Sequence, residues 1–229
     1  QDRVFPRVPV RQWVLSVPKR LRPTLARDPD LAGAVLRILL RVIHRALRDT
    51  AGAPLPAETR FGAVSFLHRF GSALNPHPHF HLAVTDGLFA RRSDGSLLFH
   101  PVRRLDAETA RSLTPLVQRR ILRLYARRVL LTRADADDML RWRGTGGFSL
   151  DGSVRVAAHN RAGLERLLRG HRREALVVLD PRSPSIGCGT PRRPGPSAPP
   201  TPASSTICLA RPETAAPRSA WPPSSFSTA

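Results

Sequence analysis

Three imidazoles at alternate positions, His77, His79 and His81, run directly into the apolar stretch Leu82-Ala83-Val84. Pro76 and Pro78 flank them and oppose a helix, because each removes a backbone donor and restricts the residue before it. The stretch therefore reads as a strand. Alternate side chains of a strand share one face, so His79 and His81 point the same way and His77 can join them. Imidazole is the commonest metal ligand, since a neutral ring nitrogen offers a lone pair without a charge partner. The plain alternative is a set of ordinary strand-edge histidines.

The preceding residues sharpen the metal reading. Gly62 to Phe70 alternates as a strand with Val64, Phe66 and His68 on one face, and Gly71 to Pro76 supplies turn chemistry. A second strand from His79 to Thr85 can lie antiparallel to it, with Asp86-Gly87 as a tight turn after it. His68 then reaches the face of His79 and His81 as a third ligand. No cysteine is nearby, so thiolate zinc is excluded; nitrogen ligands with oxygen donors suit Mn, Mg or Zn.

The remaining pattern predicts a strand at Arg11 to Val17 and a helix from Leu31 to Arg48. Asp28-Pro29-Asp30 starts that helix, and Gly52 can end it. Its apolar stripe, Leu31, Val35, Ile38, Leu39, Val42, Ile43, Ala46 and Leu47, leaves Arg37, Arg41, Arg45 and Arg48 on the other side. Asp94-Gly95 reads as a hairpin turn between Leu88-Phe89 and Leu97-Leu98. A helical region follows from Asp106 to Leu131, with a fresh start at Pro115. Phe148-Ser-Leu and Val154 to Ala157 read as a hairpin joined at Asp151-Gly152, and Arg161 to Arg169 as a last helix. These elements predict an α+β sandwich, an antiparallel sheet with helices packed on it.

Charge points to the partner. Lys and Arg total 37 against 17 Asp and Glu, a net +20, and the excess is almost all arginine. The isoelectric point near 11.9 is extreme for an enzyme of small molecules, and nucleic acid is the natural polyanion. Arg37, Arg41 and Arg45 form one candidate DNA-binding ridge, and Arg119, Arg120 and Arg123 another. A solvated basic face is the alternative for both. No apolar run approaches the ~20 residues that span a bilayer, and no Gly-rich phosphate loop points to a nucleotide cofactor.

Four segments carry a family resemblance: Arg11-Gln-Trp-Val-Leu-Ser-Val-Pro18, His68-Arg-Phe-Gly-Ser-Ala-Leu-Asn75, His79-Phe-His81 and Asp86-Gly-Leu-Phe89. In this order they resemble the rolling-circle transposases of bacterial insertion sequences. These belong to the His-hydrophobic-His (HUH) endonucleases, in the insertion-sequence-ninety-one group, and the likeness runs to about Arg169. It implies an HUH sandwich over residues 1–169 and a cytoplasmic bacterial protein. It also implies a divalent ion, Mg or Mn, held by His79 and His81, with His68 and His77 as further candidates. The implied partner is single-stranded DNA at insertion-sequence ends, cut through a 5′-phosphotyrosyl intermediate that leaves a free 3′-hydroxyl.

One departure bears on activity. The resemblance places the nucleophilic tyrosine just after the last helix, and this chain has Gly170 there, followed by His171-Arg172-Arg173. The lone tyrosine, Tyr125, borders the apolar stripe Leu113, Leu116, Val117, Ile121 and Leu124, and a packing role is expected for it. Residues 170–229 are rich in Pro, Ser and Arg and hold more than half of the prolines together with Cys188 and Cys208. They read as a disordered or out-of-frame tail of a partial or frameshifted copy, and Gln1 at the start fits a fragment. Two functions follow: a metal-dependent single-strand transposase impaired in its nucleophile, or a non-catalytic basic nucleic-acid-binding domain with a structural or vestigial metal site.

Overall fold

The computed structural model describes residues 6–51, 55–56, 58–71, 75–102 and 105–170, together with the backbone of 176–178. The strand β1 (Val10–Ser16) leads through a 3₁₀ turn into the helices α1 (Arg22–Arg27) and α2 (Pro29–Asp49). The strands β2 (Thr59–Arg60), β3 (Ala63–Phe70), β4 (Pro76–Thr85), β5 (Gly87–Arg91) and β6 (Leu97–Pro101) follow. Next come the helices α3 (Ala107–Ser112), α4 (Thr114–Arg127) and α5 (Arg133–Arg141). Short strands β7 (Ser149–Asp151) and β8 (Arg155–Val156), helix α6 (Arg161–Arg169) and strand β9 (Leu176–Val178) complete the described order.

The main sheet has the order β7-β1-β4-β3-β9, with β8 also on β1, and every pairing is antiparallel. A second sheet, β2-β5-β6, continues from the end of β4. The fold is α+β, as the sequence pattern predicts. Asp28 starts α2 by accepting from Leu31 N–H at 2.9 Å, with Pro29 in the first turn. One face of the main sheet carries Trp13, Leu15, Phe80, Leu82 and Val84, and these merge with Leu39 and Ile43 of α2 and Val117 and Ile121 of α4 in the principal core. The other face holds a smaller cluster of Val10, Val64, Phe66, Ala83 and Val156, closed by Leu164 of α6 with Leu167 and Leu168.

Several local expectations need correction. The expected strand at His79 begins at Pro76, and its first stretch is irregular. The register shifts between His68 and Phe70, and β1 pairs only as far as His79, so no partner strand calls on an amide at Pro78. The tight turn expected at Asp86-Gly87 is a bend at Asp86 between strands of different sheets. Val102 N–H bonds to the Asp86 carbonyl there at 3.1 Å. Gly87 is demanded by close approach, since a Cβ would lie 2.4 Å from the His100 carbonyl oxygen.

The expected hairpin over 148–157 also does not form. β7 and β8 do not pair with each other; both pair with β1, end to end, as one interrupted edge strand. The interruption falls at Gly152, where a Cβ would meet Ala110 at 2.9 Å and the Trp13 ring at 3.2 Å. Helix α5 is an addition that hydrophobic periodicity did not reveal. The expected tail over 170–229 lies outside the described residues, apart from Gly170 and the backbone of β9. That strand pairs with β3.

Candidate metal centre and basic surfaces

The register of β3 against β4 assembles the histidines. His68 on β3 stands directly across from His79 on β4, and His81 follows two residues along the same face. Ring centroids lie 5.1 Å apart for His68 and His79, 4.5 Å for His68 and His81, and 4.9 Å for His79 and His81. One ring nitrogen from each lies within 4.8 Å of the other two, and all three residues are half-buried. Nitrogens on one small cation sit about 3–3.5 Å apart, from bond lengths of about 2.1 Å. A contraction on the order of 1 Å therefore closes the site, and the cluster could hold a metal ion.

Hydrogen bonds to the Nδ1 atoms of His79 and His81 bear on which nitrogen of each is left for the cluster. The His79 Nδ1–H donates to the His77 carbonyl oxygen at 2.6 Å, because a carbonyl can only accept. That leaves the lone pair of His79 on Nε2, the tautomer a metal requires. His81 is held by Gln12, which lies opposite Ala83 on β1 and reaches diagonally to place its amide nitrogen 3.0 Å from Nδ1. A half-turn of the Gln12 amide presents its oxygen instead, which accepts Nδ1–H and prepares Nε2 for a ligand. Gln12 was not among the sequence candidates. Its signal was a polar residue between Val10 and Val14 on one strand face.

His77 stands apart. Its ring lies 5.1 Å from that of His79, yet it does not join the three-nitrogen cluster. Its Nε2 is buried without a hydrogen-bond partner among the described residues. Burial, followed by the charges of Arg22 and His79, lowers its pKa and favours the neutral ring.

The two positions relevant to a nucleophile are on opposite sides of the sheet. Tyr125 is only 1% exposed, belongs to the principal core and donates its hydroxyl to the Leu21 carbonyl at 3.1 Å. Burial, with a smaller contribution from Asp28, raises its pKa far above the phenolic range. Gly170 caps α6, the helix that packs on the histidine face through Leu164. Its backbone is right-handed helical, and an added Cβ would find the nearest oxygen at 3.5 Å, so the position accepts a side chain.

The arginine candidates also divide. Arg41 of α2 and Arg119, Arg120 and Arg123 of α4 line one groove on the helical layer. Arg37 is half-buried on α2 outside that groove, and Arg45 pairs with Asp49 at 3.4 Å. A different arginine has a structural task. Arg11, buried, grips Asp86 through Nε at 2.8 Å and Nη2 at 3.2 Å and donates Nη1–H to the Gly152 carbonyl at 2.7 Å. Arg155 reaches the same carboxylate at 2.6 Å. This knot ties β1 to the end of β4 and to the interrupted edge strand. Charge-assisted bonds of this kind keep a buried ion compensated.

No helix among the described residues is long and apolar enough to cross a membrane. No curated protein and no solved structure matches the chain. Residues 62–178 match a family model described as "putative transposase", a stretch that contains His68, His79, His81 and α6 and spans just over half of the 229 residues. The chain therefore belongs to this transposase family.

Proposed function

We propose that this chain is a DNA-binding transposase domain of the HUH rolling-circle kind, whose His68, His79 and His81 hold one divalent ion at a phosphate of single-stranded DNA. The DNA would be an insertion-sequence end in the bacterial cytoplasm. The observation that carries the reading is the convergence of three imidazoles from two paired strands, one with its tautomer fixed by a backbone carbonyl. A purely imidazole set favours Mn²⁺ over Mg²⁺, which prefers oxygen and keeps its water. When bound, such an ion polarises a phosphodiester as a Lewis acid. The protein's own part is to orient the rings and to hold the strand electrostatically, with Arg37, Arg41, Arg45, Arg119, Arg120 and Arg123 as the contact candidates.

Strand cleavage needs a nucleophile positioned at that phosphate, since positioning supplies much of the rate. Gly170 offers none, and Tyr125 is bonded into the core on the far side of the sheet. The chain is therefore proposed to bind metal and single-stranded DNA without efficient cutting. The burial of Tyr125 equally favours a second reading, a non-catalytic nucleic-acid-binding domain with a vestigial metal site.

Titration calorimetry with Mn²⁺ separates the two readings. One site is expected in the parent chain and none in the His79→Ala/His81→Ala variant, with the fold retained. An isotherm unchanged by the double substitution sinks the metal site and leaves the second reading. Incubation with single-stranded DNA and Mn²⁺ is expected to give no covalent adduct on a denaturing gel. An adduct mapped to Tyr125 would overturn the assignment of that residue to packing.

A further inference from the structure

Six arginines from three helices converge on one groove of about 720 Å³: Arg41 of α2, Arg119, Arg120, Arg123 and Arg127 of α4, and Arg133 of α5. Arg120 is half-buried and the other five are exposed. None of the six forms a hydrogen bond or ion pair among the described residues. Arg11, Arg20, Arg128, Arg155 and Arg169, by contrast, each have a carboxylate partner. Asp137 is the one acidic residue lining the groove, and it pairs with none of them.

Clustered like charges that form no pair oppose the compact state, so the arrangement suits a polyanion from outside. The chain itself is a poor source, with 17 acidic residues against 37 basic ones. On α4, Arg119, Arg123 and Arg127 recur at every fourth position, about 6 Å apart along the axis, and form one row of donors. Guanidinium groups grip phosphate oxygens two at a time, which favours a phosphate chain over a single small anion.

The location gives the groove a separate role. α2 and α4 cover the sheet face that carries Trp13, Phe80 and Leu82, whereas the three histidines lie on the opposite face. A strand seated at the histidines cannot lie in the groove at the same point along its length. We infer that the groove on α2, α4 and α5 is a second nucleic-acid site, which holds a sugar-phosphate backbone without reading sequence while the histidine face takes another segment. This rests on the DNA-binding reading above and adds Arg127 and Arg133 to the contact set, while leaving out Arg37 and Arg45.

Fluorescence anisotropy of the full chain across a salt series tests it, with an oligothymidylate and a duplex of the same length as separate arms. The variants are Arg119→Glu/Arg123→Glu/Arg127→Glu, the same three positions as Gln, and His79→Ala/His81→Ala. Each lost phosphate contact flattens the logarithmic salt slope by roughly 0.7 for single strands and 0.9 for duplex. Both arginine variants are therefore expected to lose about 2 from the slope if the groove serves the single strand, or about 3 if it serves duplex, and the arm affected identifies its occupant. Both should keep the Mn²⁺ isotherm of the parent, which also reports that they fold. The histidine variant should lose Mn²⁺ binding and no more than the one phosphate contact made at the ion, roughly 0.7 to 0.9 of the slope. A slope unchanged in both arms for the arginine variants overturns the inference. A parent chain that binds no Mn²⁺ breaks the metal reading instead and leaves the groove result standing.

Discussion

Strand β4 presents two unlike faces from one run of residues. Phe80, Leu82 and Val84 disappear into the principal core, each at most 2% exposed, while His79 and His81 stay half-buried on the other side. The first face is closed by the long helix α2 and by α4. Among the described residues, the second has only the three leucines of α6 over its apolar cluster, and the histidines are not part of that cluster. The difference shows where stability and binding reside in this protein. Area removed from water stabilises the helical face, at about 25 cal/mol per Å². The histidine face gives up that burial and keeps ring nitrogens where a cation can reach them.

Substitutions on each face can break or sharpen this contrast. The largest effect is expected from Trp13→Ala, which empties a fully buried site at the centre of the helical face and should cost about 3–5 kcal/mol in denaturant unfolding. A loss below about 1 kcal/mol would mean that the face is not the main source of stability. Next in size, Gln12→Ala should weaken Mn²⁺ binding about 10–100-fold, as loss of an outer-shell partner does, with little change in melting temperature. Gln12→Glu should retain affinity or improve it, because a carboxylate accepts the His81 Nδ1–H outright. Equal affinity in all three forms would show that Gln12 does not orient His81.

The smallest effect returns to the helical layer. Val129 follows α4 with φ at +58° and is 88% exposed, a left-handed conformation that a β-branched residue adopts at a cost. Val129→Gly should raise stability by up to about 1 kcal/mol, seen as a small upward shift of the melting temperature with unchanged metal binding. A decrease would indicate that its side chain supports the helix end.

The histidine strand was legible because a period of two is a local property, and the prolines removed the helical alternative. The cross-strand position of His68 was legible for the same reason, since a short connection links consecutive strands. Pairing at long range was not. Residues 148–157 looked like a hairpin, yet the neighbour both halves choose is β1, more than a hundred residues earlier in the chain. Helix α5 buries only Ala136 and Met139, too few for a periodic signal, although Thr132 and Asp135 form the cap pair that marks its start. The arginine rows on α2 and α4 could each be read singly. That Arg41 alone of the α2 row meets the α4 row in one groove depends on the packing of the helices, which no local pattern encodes.

The knot of Arg11, Asp86 and Arg155 has a consequence for how the molecule comes to be made. Its parts emerge from synthesis far apart, and β1 must wait for β4 and then for residues 149–156 before both of its edges are covered. Contacts so distant in sequence slow folding, because loop closure is charged before any reward arrives. Until the last piece joins, β1 offers an open strand edge to any neighbouring chain. A nascent or truncated chain that stops before Ser149 would contain the histidines and most of the core, yet it would be prone to self-association through that uncovered edge.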